Sequence, residues 1–264
     1  MTDPILIRSD ADHIATLTLN APDRLNALSD AMLAALAAEF ARLAQDSSIR
    51  VVILRGAGKV FCAGHDLKEM QAARAAPDKG AAAFHDLFTR CAAVMQAIPA
   101  LPQPVIAQVH GIATAAGCQL AASCDMVVAA EGARFGVNGV NIGLFCSTPM
   151  VALTRKVPAA IAFEMLTTGE FIDAARAREV GLVNRVVAPD ALESETRRLA
   201  ETLAAKLTAA VRIGKSTFYD QLGLPLADAY AHAGAAMVEN MLWRDTDEGI
   251  AAFLGKRKPD WSLT

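Results

Sequence analysis

Short, uninterrupted apolar runs rich in β-branched residues, each separated from the next by an amphipathic stretch, constrain this chain more than any other feature. Val51 to Leu54, Val105 to Val109 and Met126 to Ala129 are such runs. They predict strands covered on both faces, as in a parallel sheet packed between helices. Ile5 to Arg8 and Ile14 to Leu19 add two further strands before the first helical segment. That segment starts near Ser29, a suitable N-cap, and places Met32, Leu33, Leu36, Phe40 and Leu43 at the three-to-four spacing of a buried helical face. A strand, crossover helix, strand unit follows, and the fold class is α/β.

The strand signal thins after about Ser147, with Val183 to Val187 as a short exception among Ala- and Leu-rich helical segments. One functional unit is expected, with a sheet-containing core over 1–196 and a helical extension over 197–264. The polar, Ala-rich stretch from Ala72 to Lys79, broken by Pro77, reads as a mobile flap or linker.

With 264 residues and 53% hydrophobic content, the chain can bury close to three quarters of its extended surface, which excludes a disordered protein. Only 5% of residues are aromatic, so the core is Ala, Leu, Val and Ile. The net charge is −3, which gives no global field for nucleic acid or an anionic membrane, and the helix from Ser29 to Gln45 carries Arg42 as its only basic residue. No apolar run approaches the roughly 18 residues of a membrane span. Cys62, Cys91, Cys118, Cys124 and Cys146 form no CxxC pair, which argues against a disulfide framework or a zinc site and for a reducing compartment. The expectation is a soluble cytoplasmic protein.

Several familiar motifs fail on inspection. Gly214-Lys215-Ser216 ends like a phosphate-binding loop, but Ala209 stands where that loop needs glycine. No GxGxxG follows a strand, and neither GxSxG nor HExxH occurs. What remains is a pair of glycine-containing turns, Phe61 to Leu67 and His110 to Cys118, each placed between a buried strand and a helix. Either alone fits an ordinary tight connection. Together, their free N–H groups are suited to converge on one oxygen and to stabilise a thioester enolate.

These turns belong to an ordered series that resembles the crotonase superfamily, the enoyl-CoA hydratases and isomerases, over nearly the whole chain. Arg24-Leu25-Asn26-Ala27-Leu28 is similar to the family's NAL turn, Phe61 to Asp66 to its FxAGxD loop, and Val109-His110-Gly111 with Gly117-Cys118 to its second glycine-rich loop. Cys124-Asp125, Phe135-Gly136, Leu166 to Gly169 with Ala177 to Val183, and Phe253 to Pro259 follow in family order. The resemblance implies a spiral of ββα units with a C-terminal helical trimerisation region, assembled as a homotrimer or a dimer of trimers. It implies no prosthetic group, and coenzyme A enters as part of an acyl-CoA thioester.

Residue by residue, the resemblance assigns the oxyanion-hole N–H groups to Ala63 and Ala116. It assigns the coenzyme A surface to Arg24, Leu25 and Ala27 with Ala63, Gly64, His65 and Asp66. Lys256, with Arg257 and Lys258, supplies charge for nucleotide phosphates or forms a solvated tail. The two glutamates with which the family hydrates a double bond fall at Gln119 and Gly139. An amide accepts no proton near neutral pH and glycine has no side chain, so the standard hydratase route is not transferred. Asn138, Asn141, Cys146, Ser147 and His65 are the nearby candidates for a substitute group, while Asp66 and Glu69 read as helix-capping acids. Base-free chemistry such as decarboxylation of a malonyl-type thioester, or acyl-CoA binding without chemistry, follows as the alternative function. Met70, Phe84, Phe88 and Phe145 are candidate lining for the acyl group.

Overall fold

The structure, a computed structural model, describes residues 3–261; residues 1–2 and 262–264, the outer ends of the two expected segments, lie outside the described residues. The chain begins with β1 (Leu6–Ala11) and β2 (Ile14–Leu19), an antiparallel hairpin, and then α1 (Asp30–Gln45). Ser29 caps α1 by accepting the Met32 N–H at 3.3 Å, and all five apolar residues expected on its inner face are buried. β3 (Val51–Gly56), α2 (Leu67–Ala73), α3 (Ala81–Ala100), β4 (Val105–Val109), β5 (Ile112–Thr114) and α4 (Ala116–Ser123) follow. Next come β6 (Met126–Ala130), β7 (Arg134–Gly136), α5 (Pro149–Leu153), α6 (Ala159–Thr168), β8 (Ile172–Asp173), α7 (Ala174–Glu179) and β9 (Arg185–Val187). The chain closes with α8 (Leu192–Ala204), α9 (Thr208–Gln221), α10 (Leu226–Met241) and α11 (Arg244–Leu254).

The main sheet has the order β1-β2-β3-β4-β6-β9, parallel throughout except for the β1/β2 hairpin. A smaller sheet, β5-β7-β8, lies beside it. Two successive units, β4-β5-α4 and β6-β7-α5, therefore send a strand through the large sheet, a short strand through the small one, and then a helix. Alternation along the strands serves both faces: Val52, Leu54 and Ala107 pack toward α1, α3 and α4, while Val51, Ile53, Ile106 and Val128 pack under Leu192, Leu199 and Ala200 of α8.

Three expectations shift in detail. The boundary expected after residue 196 falls inside α8, whose buried residues lie on both sides of it. The expected strand from Val183 shortens to β9, because the Asn184 N–H and side-chain Oδ1 already pair with the Val127 backbone before the ladder starts. The Ala72 to Lys79 stretch is a chain of hydrogen-bonded turns rather than a linker, and Asp78 closes it by accepting the Gly80 and Ala82 N–H groups at 2.9 Å.

The accessible surface is 13851 Å², against about 11,000 Å² expected for a compact monomer of this mass. Large apolar side chains are exposed at the C-terminal end: Leu226 and Tyr230 of α10, Leu242 just after it and Phe253 of α11 are each at least three quarters exposed. Among the described residues, no helix is long and apolar enough to cross a membrane.

Candidate active site

Two loops meet at the edge of the smaller sheet. The first leaves β3, passes through buried Phe61 and Cys62, and pairs Cys62 with Ala113 of β5. It ends at Asp66, which caps α2 by accepting the Lys68 and Glu69 N–H groups at 2.9 and 3.2 Å. The second leaves β5 and enters α4 through Ala115, whose φ of 49° and ψ of −120° are strained for a residue with a Cβ. Its N–H donates to Gly136 O at 2.9 Å, which holds the strained turn in place.

The loops interlock through two glycines. Gly64 has φ +90°, and a Cβ there would stand 3.0 Å from Ala115 Cβ and 3.1 Å from Ala116 N. A Cβ on Gly117 would stand 2.1 Å from Cys62 O. Only hydrogen atoms fit at these two contacts, so the backbone of one loop lies directly on the backbone of the other.

Backbone accounting then selects the free donors. The Ala63 N–H, expected in the oxyanion hole, donates to Leu25 O at 3.1 Å and is engaged. The Gly64 N–H points to the Cys62 sulfur, whose thiol burial pushes up to about 12. The next N–H, that of His65, has no hydrogen-bond partner among the described residues, and neither has that of Ala116 at the first position of α4. Of the two N–H groups expected to be free, that of Ala63 is thus taken by Leu25, and the unpartnered N–H groups of the two loops are those of His65 and Ala116. The reason is tertiary: Leu25 and Asn26 adopt left-handed φ values of 53° and 52°. Buried Asn26 pins that turn by donating to Ala57 O and Val60 O at 2.8 and 2.9 Å and accepting the Ala21 N–H at 3.0 Å. The sequence motif contains Asn26 but gives no sign of this role.

Gln119 stands one turn along α4 from Ala116, on the same face of the helix. It is 5% exposed, and its Oε1 is buried with no hydrogen-bond partner. His65 lies edge-on to Phe88, with ring centroids 5.7 Å apart, and neither ring nitrogen meets a protein partner. Burial pushes its pKa down, with a smaller opposing pull from the Leu28 backbone, so the ring is neutral near pH 7. The second glutamate position, Gly139, is closed. A Cβ there would lie 2.3 Å from Leu144 O and 2.8 Å from Cys146 Sγ. Burial pushes the Cys146 thiol up, against a weaker pull from the Gly139 N–H, so Cys146 is not an activated nucleophile. Asn138 accepts the Thr114 hydroxyl at 2.6 Å, and the Asn141 amide donates to Gly169 O at 3.4 Å; both are engaged in holding loops.

Of the expected coenzyme A surface, Arg24, Leu25, Ala27 and Ala63 to Asp66 do come together. Leu28 N–H donates to Gly64 O at 2.7 Å, the carbonyl of half-exposed Leu25 accepts the Ala63 N–H, and Arg24 pairs with Asp66 and with Glu69 at 3.1 Å. Burial works against the Asp66 carboxylate, yet the Glu69 and Lys68 amides and the Arg24 guanidinium hold it below its usual range. Met70 and Phe84 border a cavity of about 90 Å³ with Leu28 and Leu87, whereas Phe145 is 40% exposed on the loop before α5. Lys256 follows α11, and among the described residues no hydrogen bond or ion pair joins its side chain to the loop cluster. Arg257 is committed to Glu248 at 2.6 Å. No group of three or more His, Cys, Asp or Glu suited to a metal ion occurs among the described residues.

Comparison with known proteins follows the same pattern. The sequence profile described as enoyl-CoA hydratase/isomerase matches residues 9–263. Enoyl-CoA hydratase domain-containing protein 3, mitochondrial, of Xenopus laevis is 45% identical over 98% of this chain and 86% of its own length. The crystal structure of an enoyl-CoA hydratase of Mycobacterium smegmatis superposes with a TM-score of 0.94 at 54% identity, covering 98% of this chain and 99% of the other. That of human enoyl coenzyme A hydratase domain-containing protein 3 gives 0.92 at 44% identity, covering 97% and 100%. The cytoplasmic expectation is overturned: the animal relatives are named mitochondrial. Free cysteines and a small negative charge describe a reducing aqueous environment, which is not a single compartment.

Proposed function

The chain belongs to the enoyl-CoA hydratase/isomerase family, and from that premise we propose that it binds an acyl-CoA thioester and polarises its carbonyl against the N–H groups of His65 and Ala116. The observation that carries this reading is the pair of unpartnered backbone donors, one from each of two loops locked together at Gly64 and Gly117. Preorganised donors of this kind stabilise charge that develops on an oxygen without any reorganisation at the moment of reaction. The coenzyme A portion lies along Arg24, Leu25, Ala27 and the loop from Ala63 to Asp66. The exposed apolar residues of α9 to α11 pack against further copies of the chain, as a trimer or a dimer of trimers. The test is the infrared carbonyl band of ¹³C-labelled butyryl-CoA. It should move to lower wavenumber on binding, because two hydrogen bonds weaken the C=O bond; a bound thioester with an unmoved band sinks the reading.

The chemistry is enolate formation without a pair of protein carboxylates. Gln119 is neutral, and the Gly139 position is closed by Leu144 O and Cys146. Decarboxylation of a malonyl-type thioester suits such a site. The bond between C2 and the carboxylate carbon breaks, carbon dioxide leaves, the electron pair enters the enolate held by His65 and Ala116, and a solvent proton ends on C2. Positioned acid–base groups contribute about 10²–10⁴-fold, so hydration of crotonyl-CoA by the wild type should be slow by at least that factor. Gln119→Glu should raise the hydration rate. Gly139→Glu should not, and should cost about 1–3 kcal/mol of stability, because its Cβ has no room beside Leu144 O. Loss of enoyl-thioester absorbance and urea melts of the two variants check this. A folded Gly139→Glu variant with the larger gain in hydration would contradict it.

A further inference from the structure

We infer that Thr114 and Asn138 are positioning residues: their hydrogen bond holds the peptide between Ala115 and Ala116 with its N–H, and not its carbonyl, turned into the site. The inference rests on the proposed thioester reading and adds to it what keeps one of the two donors in place. The Ala116 N–H belongs to the peptide unit whose orientation is set by ψ of Ala115, and Ala115 stands at φ 49° and ψ −120°. Glycine adopts these angles readily, whereas a Cβ opposes them. At the same φ, the region open to an L-residue is the left-handed one, near a ψ of about +47°, roughly 170° away. Relaxation of Ala115 is therefore a peptide flip, which withdraws the donor and puts a carbonyl oxygen in its place.

Four hydrogen bonds resist the flip. Thr114 N–H donates to Cys62 O at 3.1 Å, Ala115 N–H to Gly136 O at 2.9 Å, and the Thr114 hydroxyl to Asn138 Oδ1 at 2.6 Å. Gln119 N–H donates to Ala115 O at 3.0 Å, a bond that the flip itself breaks. Gly136 is backed by the Phe171 ring, which a Cβ at Gly136 would meet at 2.8 Å, so that acceptor has no room to retreat. Three of the four bonds are main chain to main chain. The hydroxyl contact is the one written in side chains, and it joins two half-buried residues, one directly before the strained position and the other at the start of the turn after β7. The net worth of one hydrogen bond and the strain of one residue are of the same size, so this contact decides how fully the donor state is occupied. A glycine at position 115 would need no such hold.

Two measurements on the full chain test this, the infrared carbonyl band of bound ¹³C-labelled butyryl-CoA and hydrogen exchange at the Gln119 amide, each for wild type, Thr114→Val and Thr114→Val combined with Ala115→Gly. In Thr114→Val the band should gain a second component nearer the free position, from molecules in which one of the two donors has turned away, and butyryl-CoA should bind about fivefold more weakly, the equivalent of one hydrogen bond. Exchange at Gln119, whose acceptor is lost in the flip, should quicken by about the same factor. Adding Ala115→Gly should remove the second component and slow the exchange again, because glycine holds the observed angles without strain. Asn138→Ala breaks the same contact from its other end and serves if Thr114→Val does not fold. A single band and wild-type exchange in Thr114→Val overturn the inference, and so does a second component that persists with Ala115→Gly, since the hydroxyl would then act through packing and not through the strained turn. The exchange arm needs no ligand: an unmoved band in the wild type sinks the thioester reading, while exchange at Gln119 still decides whether Thr114 holds the peptide.

Discussion

Replacing Gly117 by alanine is expected to abolish carbonyl polarisation and to weaken butyryl-CoA binding by about 10²-fold, the scale of loss that a displacement of roughly 1 Å brings to an oriented site. The added Cβ would lie 2.1 Å from Cys62 O, 2.7 Å from the Cys62 carbonyl carbon and 2.9 Å from its Cβ. Nothing flexible stands in the way to yield. Cys62 O accepts the Thr114 N–H at 3.1 Å and Cys62 N–H donates to Ile112 O at 3.2 Å, so the carbonyl is tied to β5 on both sides. The contact is relieved only by parting the loops, and each loop carries one donor: His65 follows Cys62 by three residues and Ala116 directly precedes Gly117. Overpacking of this type costs about 1–3 kcal/mol, so the variant should fold but melt lower. Gly132→Ala is the control, since a Cβ at Gly132 meets nothing within 4 Å. A Gly117→Ala protein with the wild-type carbonyl shift would show that the two loops do not form one donor pair.

That contact also marks how far the sequence could be read. α1 was legible because its signals are local: a capping serine and apolar residues at helical spacing refer only to near neighbours. The core strands were legible for the same reason, each being a short run bounded by polar turns. The two glycine-containing loops were found as motifs, but the identity of the free donor depends on Leu25 O. That carbonyl reaches Ala63 only because an early left-handed turn, held by Asn26, folds back over the first loop. No spacing rule in one sequence predicts which of three successive N–H groups will be met by a distant carbonyl. Gly139 is similar: its glycine reads as a vacancy, yet the loop through Leu144 and Cys146 fills it. The compartment is not a packing property at all, and composition misplaced it.

Lys215→Met should be the most destabilising of the substitutions discussed, by about 3–5 kcal/mol, the range for removing one member of a buried ion pair. Lys215 stands in the Gly-Lys-Ser triplet that imitates a phosphate loop, but here its ammonium is turned inward. It donates to Ile98 O at 2.9 Å, Gln103 O at 2.8 Å and Asp125 Oδ2 at 2.7 Å, and the residue is 9% exposed. Asp125 in turn accepts the Tyr219 hydroxyl and the Val105 N–H, so two residues of α9 reach the loops that lead into β4 and β6 through one carboxylate. Burial pushes the Lys215 pKa down while Asp125 pulls it up, which is the signature of a charge held by its partner rather than by water. Methionine fills the space of the lysine stem but removes the ammonium that faces the buried Asp125 carboxylate and takes one donor each from Ile98 O, Gln103 O and Asp125 Oδ2, so the loss is electrostatic rather than one of packing. Asp125→Asn keeps the shape and an acceptor, and should cost less. Because α9 connects the sheet layer to α10 and α11, hydrogen exchange in those helices should rise in Lys215→Met well before exchange in β3 and β4 does. A urea unfolding free energy within about 0.5 kcal/mol of the wild type, or exchange that rises equally in all elements, would show that this buried pair does not anchor the helical extension.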